Sequence, residues 1–223
     1  MEWKLRAAEL FDLSRSIAAP LFGAGSVYPW EKLKEISAFI LELGKMLPEE
    51  KFDHPAEDVW VAKSAKIAPT AYLGGPLIID ENAEIRHCAF LRGSAIVGKG
   101  ATVGNSTELK NCILFDGAQA PHYNYVGDSI LGYKAHMGAG AITSNFRSDH
   151  GNVTLHGPEI ATGLRKFGAM LGDEAEIGCG SVLNPGTIVG RGSIVYPLSS
   201  VRGIVAEKTI YKRAGEVVAR EER

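Results

Sequence analysis

Hydrophobic residues recur at every sixth position along the middle of the chain. The series runs without a break through Val61, Ile67, Leu73, Ile79, Ile85, Leu91, Val97, Val103, Leu109 and Phe115. Two positions before most of these residues lies a small one, such as Ala65, Ala83 or Ala101. A repeat of six fits neither an α-helix nor an ordinary strand, and it is typical of hexapeptide parallel β-helices. The pattern therefore predicts an all-β fold, a left-handed parallel β-helix.

In such a fold three hexads close one coil of a triangular prism. The bulky residue of each hexad points inward, and neighbouring coils stack at about 4.8 Å, the spacing between strands. We expect the ladder to slip near Pro121 and to resume at Val126, Leu131 and Met137. After a break beyond Thr143 it continues from Leu171 to Val201. The pattern predicts about seven coils and a rod of roughly 30 Å at that spacing.

Three segments depart from the hexads. Residues 1–52 form a predicted N-terminal helical segment, because Ala7, Leu10, Leu13 and Ile17 and then Leu33, Ile36, Ile40, Leu43 and Leu47 follow helical spacing. We expect it to cap one end of the β-helix or to pack on a neighbouring subunit. The β-helix itself is predicted over residues 53–206, with an inserted loop at about 146–165 that we interpret as functional. Residues 207–223 are predicted to be a polar tail, a solvated strand or helix.

Composition narrows the classes of partner. The net charge is −2, and no Lys/Arg cluster is present, so nucleic acid is not an expected partner. Neither a signal peptide nor a membrane-spanning stretch is visible, so we expect a cytoplasmic protein without a membrane partner. Cys88, Cys112 and Cys179 have neither disulfide nor zinc spacing, and no metal is expected.

Two cations are predicted to stack on one corner of the prism. Arg92 and Lys110 lie 18 residues apart, which is one full coil, and each follows an inward residue. At about 4.8 Å between coils the two charges repel unless an anion lies between them, and that anion is Glu108, another part of the chain or a ligand. The functional interpretation is a phosphate site, and the alternative is two solvated cations that point apart.

The expected slip contains a candidate general base. Residues 121–125 include His122, and an imidazole titrates near neutral pH. Irregularities in a repeat gather at functional sites, whereas a lone histidine is more often structural, so a catalytic and a structural role both stay open for His122 at this point.

The stretch from Thr107 to Asn145, TELKNCILFDGAQAPHYNYVGDSILGYKAHMGAGAITSN, resembles the acetyltransferase domain of the bifunctional glucosamine-1-phosphate acetyltransferase/N-acetylglucosamine-1-phosphate uridyltransferase family. The resemblance covers most of residues 90–190 and is specific in ELK, H-x-x-Y-V-G-D and M-G-A-G-x-I-T-x-N.

That resemblance implies an enzyme that moves an acetyl group from acetyl-CoA to the amine of an amino sugar phosphate, as in nucleotide sugar biosynthesis. It implies a homotrimer with sites between subunits. The catalytic residues implied are His122 and Asn145, the acetyl-CoA contacts Ala139 and Cys179, and the acceptor-binding residues Arg92, Lys110, Tyr125 and Lys166.

The chain departs from the family in three ways. The uridyltransferase domain is missing, His136 replaces a family asparagine, and the loop after Asn145 is longer than in the family. Two other functions stay open. One is a non-catalytic sugar-phosphate-binding or scaffold protein, and the other is a γ-type carbonic anhydrase whose metal would need His87, His122 and His136.

Overall fold

The computed structural model describes residues 4–221, so residues 1–3 of the predicted helical segment and 222–223 of the predicted tail lie outside the description. The helices are few and short. Two are α-helical, α1 (Ala7–Leu10) and α2 (Ile36–Gly44), and three are 3₁₀ helices, Leu13–Arg15, Ala19–Phe22 and Pro29–Glu35.

The remaining regular structure of the described residues consists of short strands joined by turns. In chain order they are β1 (Phe52–Ala56), β2 (Val59–Ala62), β3 (Lys66–Ile67), β4 (Tyr72–Leu73), β5 (Leu77–Ile79), β6 (Glu84–Ile85), β7 (Phe90–Leu91), β8 (Ala95–Val97), β9 (Thr102–Asn105), β10 (Glu108–Leu114), β11 (Gln119–His122), β12 (Tyr125–Leu131), β13 (His136–Met137), β14 (Ile142–Thr143), β15 (Thr154–Leu155), β16 (Ile160–Ala161), β17 (Ala169–Leu171), β18 (Glu176–Ile177), β19 (Val182–Leu183), β20 (Thr187–Val189), β21 (Ile194–Val195), β22 (Ser200–Val201), β23 (Ile204–Val205), β24 (Thr209–Arg213) and β25 (Glu216–Ala219).

The strands stack in parallel on three faces of a prism. Face A contains β2, β5, β8, β17, β20, β23 and the second halves of β10 and β12. Face B contains β3, β6, β9, β11, β13, β18, β21 and β24. Face C contains β4, β7, β14, β19, β22 and the first halves of β10 and β12. We call the edges between them the A–B, B–C and C–A corners.

The predicted fold, a left-handed parallel β-helix with a small N-terminal helical segment, is confirmed. The inward hexad residues form one buried cluster along the prism, and the small residues Ala83, Ala89, Ala95 and Ala101 are buried with them. Within residues 4–221, eight strands stack on face A, one coil more than the sequence predicted.

The predicted slip near Pro121 is wrong, and so is the inward position of Phe115. Pairing changes from Leu109 opposite Leu91 to Leu114 opposite Val97, so one residue is missing between 109 and 114, at the C–A corner. Leu114 takes the inward place. Phe115 instead packs outside the prism, its ring centroid 5.0 Å from that of Phe11. Counting by six from Leu109 predicted Phe115 as an inward residue because Phe115 is apolar. The inward residue after Leu114 is Ala120, whose small side chain does not stand out in the sequence.

The N-terminal segment lies along face A rather than across an end of the prism. The outward residues of face A form an apolar ladder that is buried against this segment: Trp60, Ile78, Ile96, Ile113, Ile130, Met170 and Ile188. The first predicted helix is broken after Leu10, where the backbone N–H of Asp12 donates to Asp173 at 2.6 Å. Because face A is covered, only faces B and C are left open along the rod.

The predicted loop is a folded insert, which we call the ear (residues 146–166). It contains the antiparallel pair β15–β16 and closes through a bridge between Phe146 and Lys166. Val153 and Leu155 are buried, and a Cβ at Gly186 would lie 2.6 Å from Val153 Cγ1. The ear is therefore packed on the coils that follow it.

The β-helix continues past residue 206, into the region predicted as a tail. Strand β24 extends face B, with Ile194 opposite Ile210, and β25 returns antiparallel to it.

Candidate functional site

Arg92 and Lys110 lie on adjacent coils at the C–A corner. The backbone N–H of Arg92 donates to the carbonyl of Leu109, which sets the two positions side by side. Each side chain already has an anion from the chain: Arg92 Nη1 lies 2.7 Å from Glu108 Oε1, and Lys110 Nζ lies 3.0 Å from Asp128 Oδ1. The charge repulsion expected from the sequence is thus relieved by Glu108, which was foreseen, and by Asp128, which was not.

Asp128 is the centre of a hydrogen-bond network. Its nearly buried carboxylate accepts from Lys110, from Asn111 Nδ2 at 2.8 Å and from Asn145 Nδ2 at 2.5 Å. The same tight corner that shortens the coil places Asn111 and Asp128 at positive φ, 50° and 48°. Asn and Asp tolerate this left-handed conformation better than most residues. Asp128 could have been identified from the sequence, because it follows Lys110 by 18 residues and lies inside the Y-V-G-D stretch.

Tyr125, on the same strand as Asp128, and Asn145, on the next coil, also join this network. Asn145 Nδ2 donates to the Tyr125 hydroxyl at 3.1 Å, and the tyrosine ring folds back over Gly127, where a side chain would collide with it. Lys166 ends the ear next to this corner, with its backbone bridged to Phe146. Its exposed side chain makes no ion pair with any residue from 4 to 221.

The surroundings of this corner raise the pKa values of two groups, Arg92 and Tyr125. The hydrogen bond and charge of Glu108 raise the pKa of Arg92, which keeps the guanidinium charged. Burial, reinforced by the negative charges of Asp128 and Glu108, raises the pKa of Tyr125. Tyr125 is therefore a neutral hydroxyl at physiological pH, able to donate a hydrogen bond to a ligand.

His122, Ala139 and Cys179 form a line along the B–C corner. Gly140 N–H donates to the carbonyl of His122, and Gly180 N–H to the carbonyl of Ala139, so the three residues lie on successive coils. All three are exposed. The imidazole of His122 and the backbone N–H of Ala139 have no hydrogen-bond partner in the described part of the chain.

The buried side chain of Asn124 fixes the turn that carries His122. Its Oδ1 accepts from the N–H of His122 at 3.0 Å, and its Nδ2 donates to the carbonyls of Gly138 and Ala141, each at 2.9 Å. Most other coils have alanine or serine at this place, for example Ala71 and Ala141. Asn124 was not among the predicted site residues, although an asparagine at a position that holds a small residue in most coils was visible in the sequence.

The Arg92–Lys110 cluster at the C–A corner and the His122–Ala139–Cys179 line at the B–C corner lie on opposite edges of face C. His122 and Tyr125 are three positions apart in the chain, on either side of a bend in which Tyr123 has a positive φ of 51°. Within one chain His122 makes no ion pair or hydrogen bond with the Arg92–Lys110 corner. The structure therefore brings together Arg92, Lys110, Tyr125 and Asn145, and separately aligns His122, Ala139 and Cys179.

The other histidines have surroundings of their own. His87 Nδ1 lies 3.0 Å from Thr70 Oγ1, and His136 Nδ1 lies 2.9 Å from Glu176 Oε2 on face B. Within residues 4–221, no three His, Cys, Asp or Glu side chains are grouped as metal ligands would be. The described helices include none with the length and apolarity of a membrane span.

Comparison with known proteins identifies the family. The profile of the family described as "GMPPB C-terminal domain" matches residues 73–189, more than half of the chain. The chain belongs to this family. The match spans every residue placed above at either corner of face C, from Arg92 to Cys179.

Curated relatives of this chain support the resemblance found in the sequence. It is 38% identical over 128 residues to the "Bifunctional protein GlmU" of Methanococcus vannielii, an alignment that covers 56% of the chain and 31% of the relative. A "Bifunctional sugar-1-phosphate nucleotidylyltransferase/acetyltransferase" of Sulfurisphaera tokodaii is 31% identical over 158 residues, 62% of the chain and 39% of the relative. The chain thus spans less than half the length of either protein.

Among solved structures, the acetyltransferase domain of PglB from Neisseria gonorrhoeae is 16% identical, with a TM-score of 0.37 over 83% of this chain and 65% of that one.

Proposed function

We propose that this protein is an acetyltransferase that uses acetyl-CoA to acetylate the amine of an amino sugar phosphate. The observation that carries the proposal is the pair of groups that flank face C. At one corner the imidazole of His122 and the N–H of Ala139 lie on adjacent coils, and neither has a hydrogen-bond partner among residues 4–221. The other presents the Tyr125–Asn145–Asp128 network with its two cations. Both lie within the family match, and the relatives carry an acetyltransferase name or the name GlmU.

In this proposal acetyl-CoA lies along the B–C corner, past Cys179 and Ala139, so that its thioester reaches His122. His122 takes the proton from the attacking amine, directly or through water. The N–H of Ala139 donates to the oxyanion that forms as the amine adds to the thioester carbonyl. Transfer is direct, with CoA thiolate as the leaving group, so no residue of the chain is acetylated.

The acceptor occupies the C–A corner. Arg92, Lys110 and Lys166 neutralise its phosphate, and Tyr125 and Asn145 orient the sugar. Glu108 uses one carboxylate oxygen to pair with Arg92, and its other oxygen can accept a hydrogen bond from a sugar hydroxyl. The nearly buried Asp128 already accepts from Lys110, Asn111 and Asn145, so its role is to position these side chains. Nucleotidyl transfer forms no part of the proposal.

We further propose a homotrimer in which face C of one copy is completed by another. Face A is covered by the chain's own N-terminal segment, whereas Tyr72 and Phe90 on face C are 60% and 42% exposed and pack on each other. A partner copy would cover these rings and close the gap between His122 and the acceptor corner. A cytoplasmic location stays a prediction.

The test is release of CoA thiol from acetyl-CoA over a panel of amino sugar 1-phosphates. We expect turnover with at least one acceptor and a loss of about 10²- to 10⁴-fold in His122→Ala. If the wild type binds sugar phosphates but turns over none, the non-catalytic binding protein is the better description.

A further inference from the structure

A second polar cleft lies on the same corner as Arg92 and Lys110, further along the rod. The position that follows the inward residue of face C is Arg92, Lys110, Gly127, Ser144, Asn184 and Arg202 on successive coils. Ser144, Asn184 and Arg202 line a cleft of about 270 Å³ that the ear closes from the other side with Phe146, Arg147 and His156. We call it the ear cleft.

The charges of this cleft are unlike those around Arg92 and Lys110 on the same corner. Arg202 is exposed and makes no hydrogen bond or ion pair with any residue from 4 to 221. Arg147 pairs with Asp149, the one carboxylate among the lining residues, through Nε at 2.8 Å and Nη2. The two arginines therefore outnumber the acid, whereas Arg92 and Lys110 each have their own carboxylate.

The cleft is held in shape by packing rather than by the cations. A Cβ at Gly203, next to Arg202, would lie 3.2 Å from the carbonyl oxygen of His156, so the ear backbone rests directly on this coil. Asn184 Nδ2 donates to the carbonyl of Val201 at 2.8 Å and to Ser200 Oγ at 3.0 Å, which fixes the wall between coils. Removing the Arg202 side chain should leave this frame in place.

We propose that the ear cleft is a phosphate-binding subsite, with Arg202 and Arg147 as its cationic ligands and Ser144 as a neutral donor. Guanidinium groups bind phosphate oxygens with paired, charge-assisted hydrogen bonds. Arg202 lies four coils beyond Lys110 on this corner, about 19 Å at the strand spacing, so the cleft does not share the sugar phosphate proposed for Arg92 and Lys110. Its ligand is a separate phosphoryl group, carried by a nucleotide on the acceptor or by CoA, and the titration below distinguishes these two sources. Phe146 lies beside the cleft as an aromatic surface.

Calorimetric titration of the full chain tests the subsite without turnover. The probes are pyrophosphate, UDP and CoA, and the variant is Arg202→Gln. Arg213→Gln is the matched control, because it removes the same charge on the exposed terminal hairpin, where Arg213 pairs with Glu216. We expect Arg202→Gln to weaken pyrophosphate binding about 10- to 100-fold, the value of one or two charged hydrogen bonds. UDP binding should fall by a similar factor if the cleft serves a nucleotide on the acceptor, and CoA binding should fall instead if it serves acetyl-CoA. The control should match the wild type in all three titrations.

Absence of pyrophosphate binding in the wild type, or equal binding in all three proteins, would overturn the subsite. Unchanged affinity of Arg202→Gln for both UDP and CoA would overturn a role of the cleft in binding either substrate. Because the readout is binding, a failure of acetyl transfer with every acceptor would remove the proposed function and leave an Arg202-dependent phosphate site standing.

Discussion

Lys110 Nζ lies 3.0 and 3.1 Å from the two oxygens of Asp128, one coil away at the C–A corner. The carboxylate is 5% exposed and the lysine side chain 27%. This pair decides how the proposed acceptor site works, because Lys110 is held in place before any ligand arrives.

Asp128→Asn should lower the free energy of unfolding by about 2 kcal/mol. Asparagine tolerates the positive φ, so the backbone is kept, but the half-buried Lys110 loses its counter-charge. Urea unfolding measures the difference. Asp53→Asn is the control, since its 3.9 Å pair with Lys63 is exposed and should matter by less than about 0.5 kcal/mol. Equal stability of the two variants would contradict a structural role for the Asp128 pair.

His122→Ala should reduce kcat by about 10²- to 10⁴-fold with little change in the KM for acetyl-CoA, because only proton removal is lost. His87→Ala is the control: it changes the same corner two coils earlier, where His87 bonds Thr70. Steady-state kinetics separates the two. A similar kcat loss in both variants would mean that corner geometry, and not a base, limits the rate.

Cys179→Ser should keep kcat within about a factor of three, since direct transfer uses no thiol nucleophile. The exposed sulfur lies on the line of His122 and Ala139, so serine preserves the shape of the proposed acetyl-CoA path. Thiol-release assays of the pure variant measure this. Abolished turnover, or an acetylated Cys179 found by mass spectrometry in the wild type, would reject direct transfer.

Phe115→Ala should cost about 3 to 5 kcal/mol of unfolding free energy, because the ring is fully buried between face A and the N-terminal segment. Phe90→Ala, whose ring is 42% exposed on face C, should cost less. A double-mutant cycle of Phe11 with Phe115 should show a coupling of about 1 kcal/mol, as for other aromatic pairs. Independent effects of the two substitutions would argue that the segment does not pack on face A.

Asp173 should make the attachment of the N-terminal segment weaken as pH rises. Burial raises the pKa of its carboxyl, even though it accepts from the N–H groups of Asp12 and Tyr133 and pairs with Arg191 at 2.6 Å. The folded chain then keeps a proton that the unfolded chain has already lost, so this group's contribution to stability falls as pH rises from about 4.

Urea unfolding of the wild type and Asp173→Asn at several pH values tests this sign. The asparagine does not titrate, and two half-buried acids whose pKa is also raised, Asp80 and Asp116, titrate in both proteins and cancel in the difference. The stability advantage of the wild type should shrink between about pH 4 and pH 7. An advantage that grows over this range would show that the Arg191 pair lowers the pKa of Asp173.

The amino-acid order alone determined the prism, because a six-residue period of bulky side chains has few ways to be buried other than stacked triangular coils. It also placed Arg92 beside Lys110, since residues 18 apart in an unbroken repeat share a corner. The motif residues His122, Tyr125 and Asn145 were identified by resemblance, and the roles given to them stay proposals.

Tertiary structure decided what no linear count contains. Whether Phe115 or Leu114 points inward depended on a one-residue shortening at the C–A corner, which stacking against two neighbouring coils selects. The side of the rod that the N-terminal segment covers depended on the apolar ladder of face A, which becomes continuous only when coils are stacked. Stacking also pairs Arg92 with Glu108 and Lys110 with Asp128, because the partners of each pair lie on different coils. The residues that line the ear cleft likewise come from different coils and meet only in the folded chain.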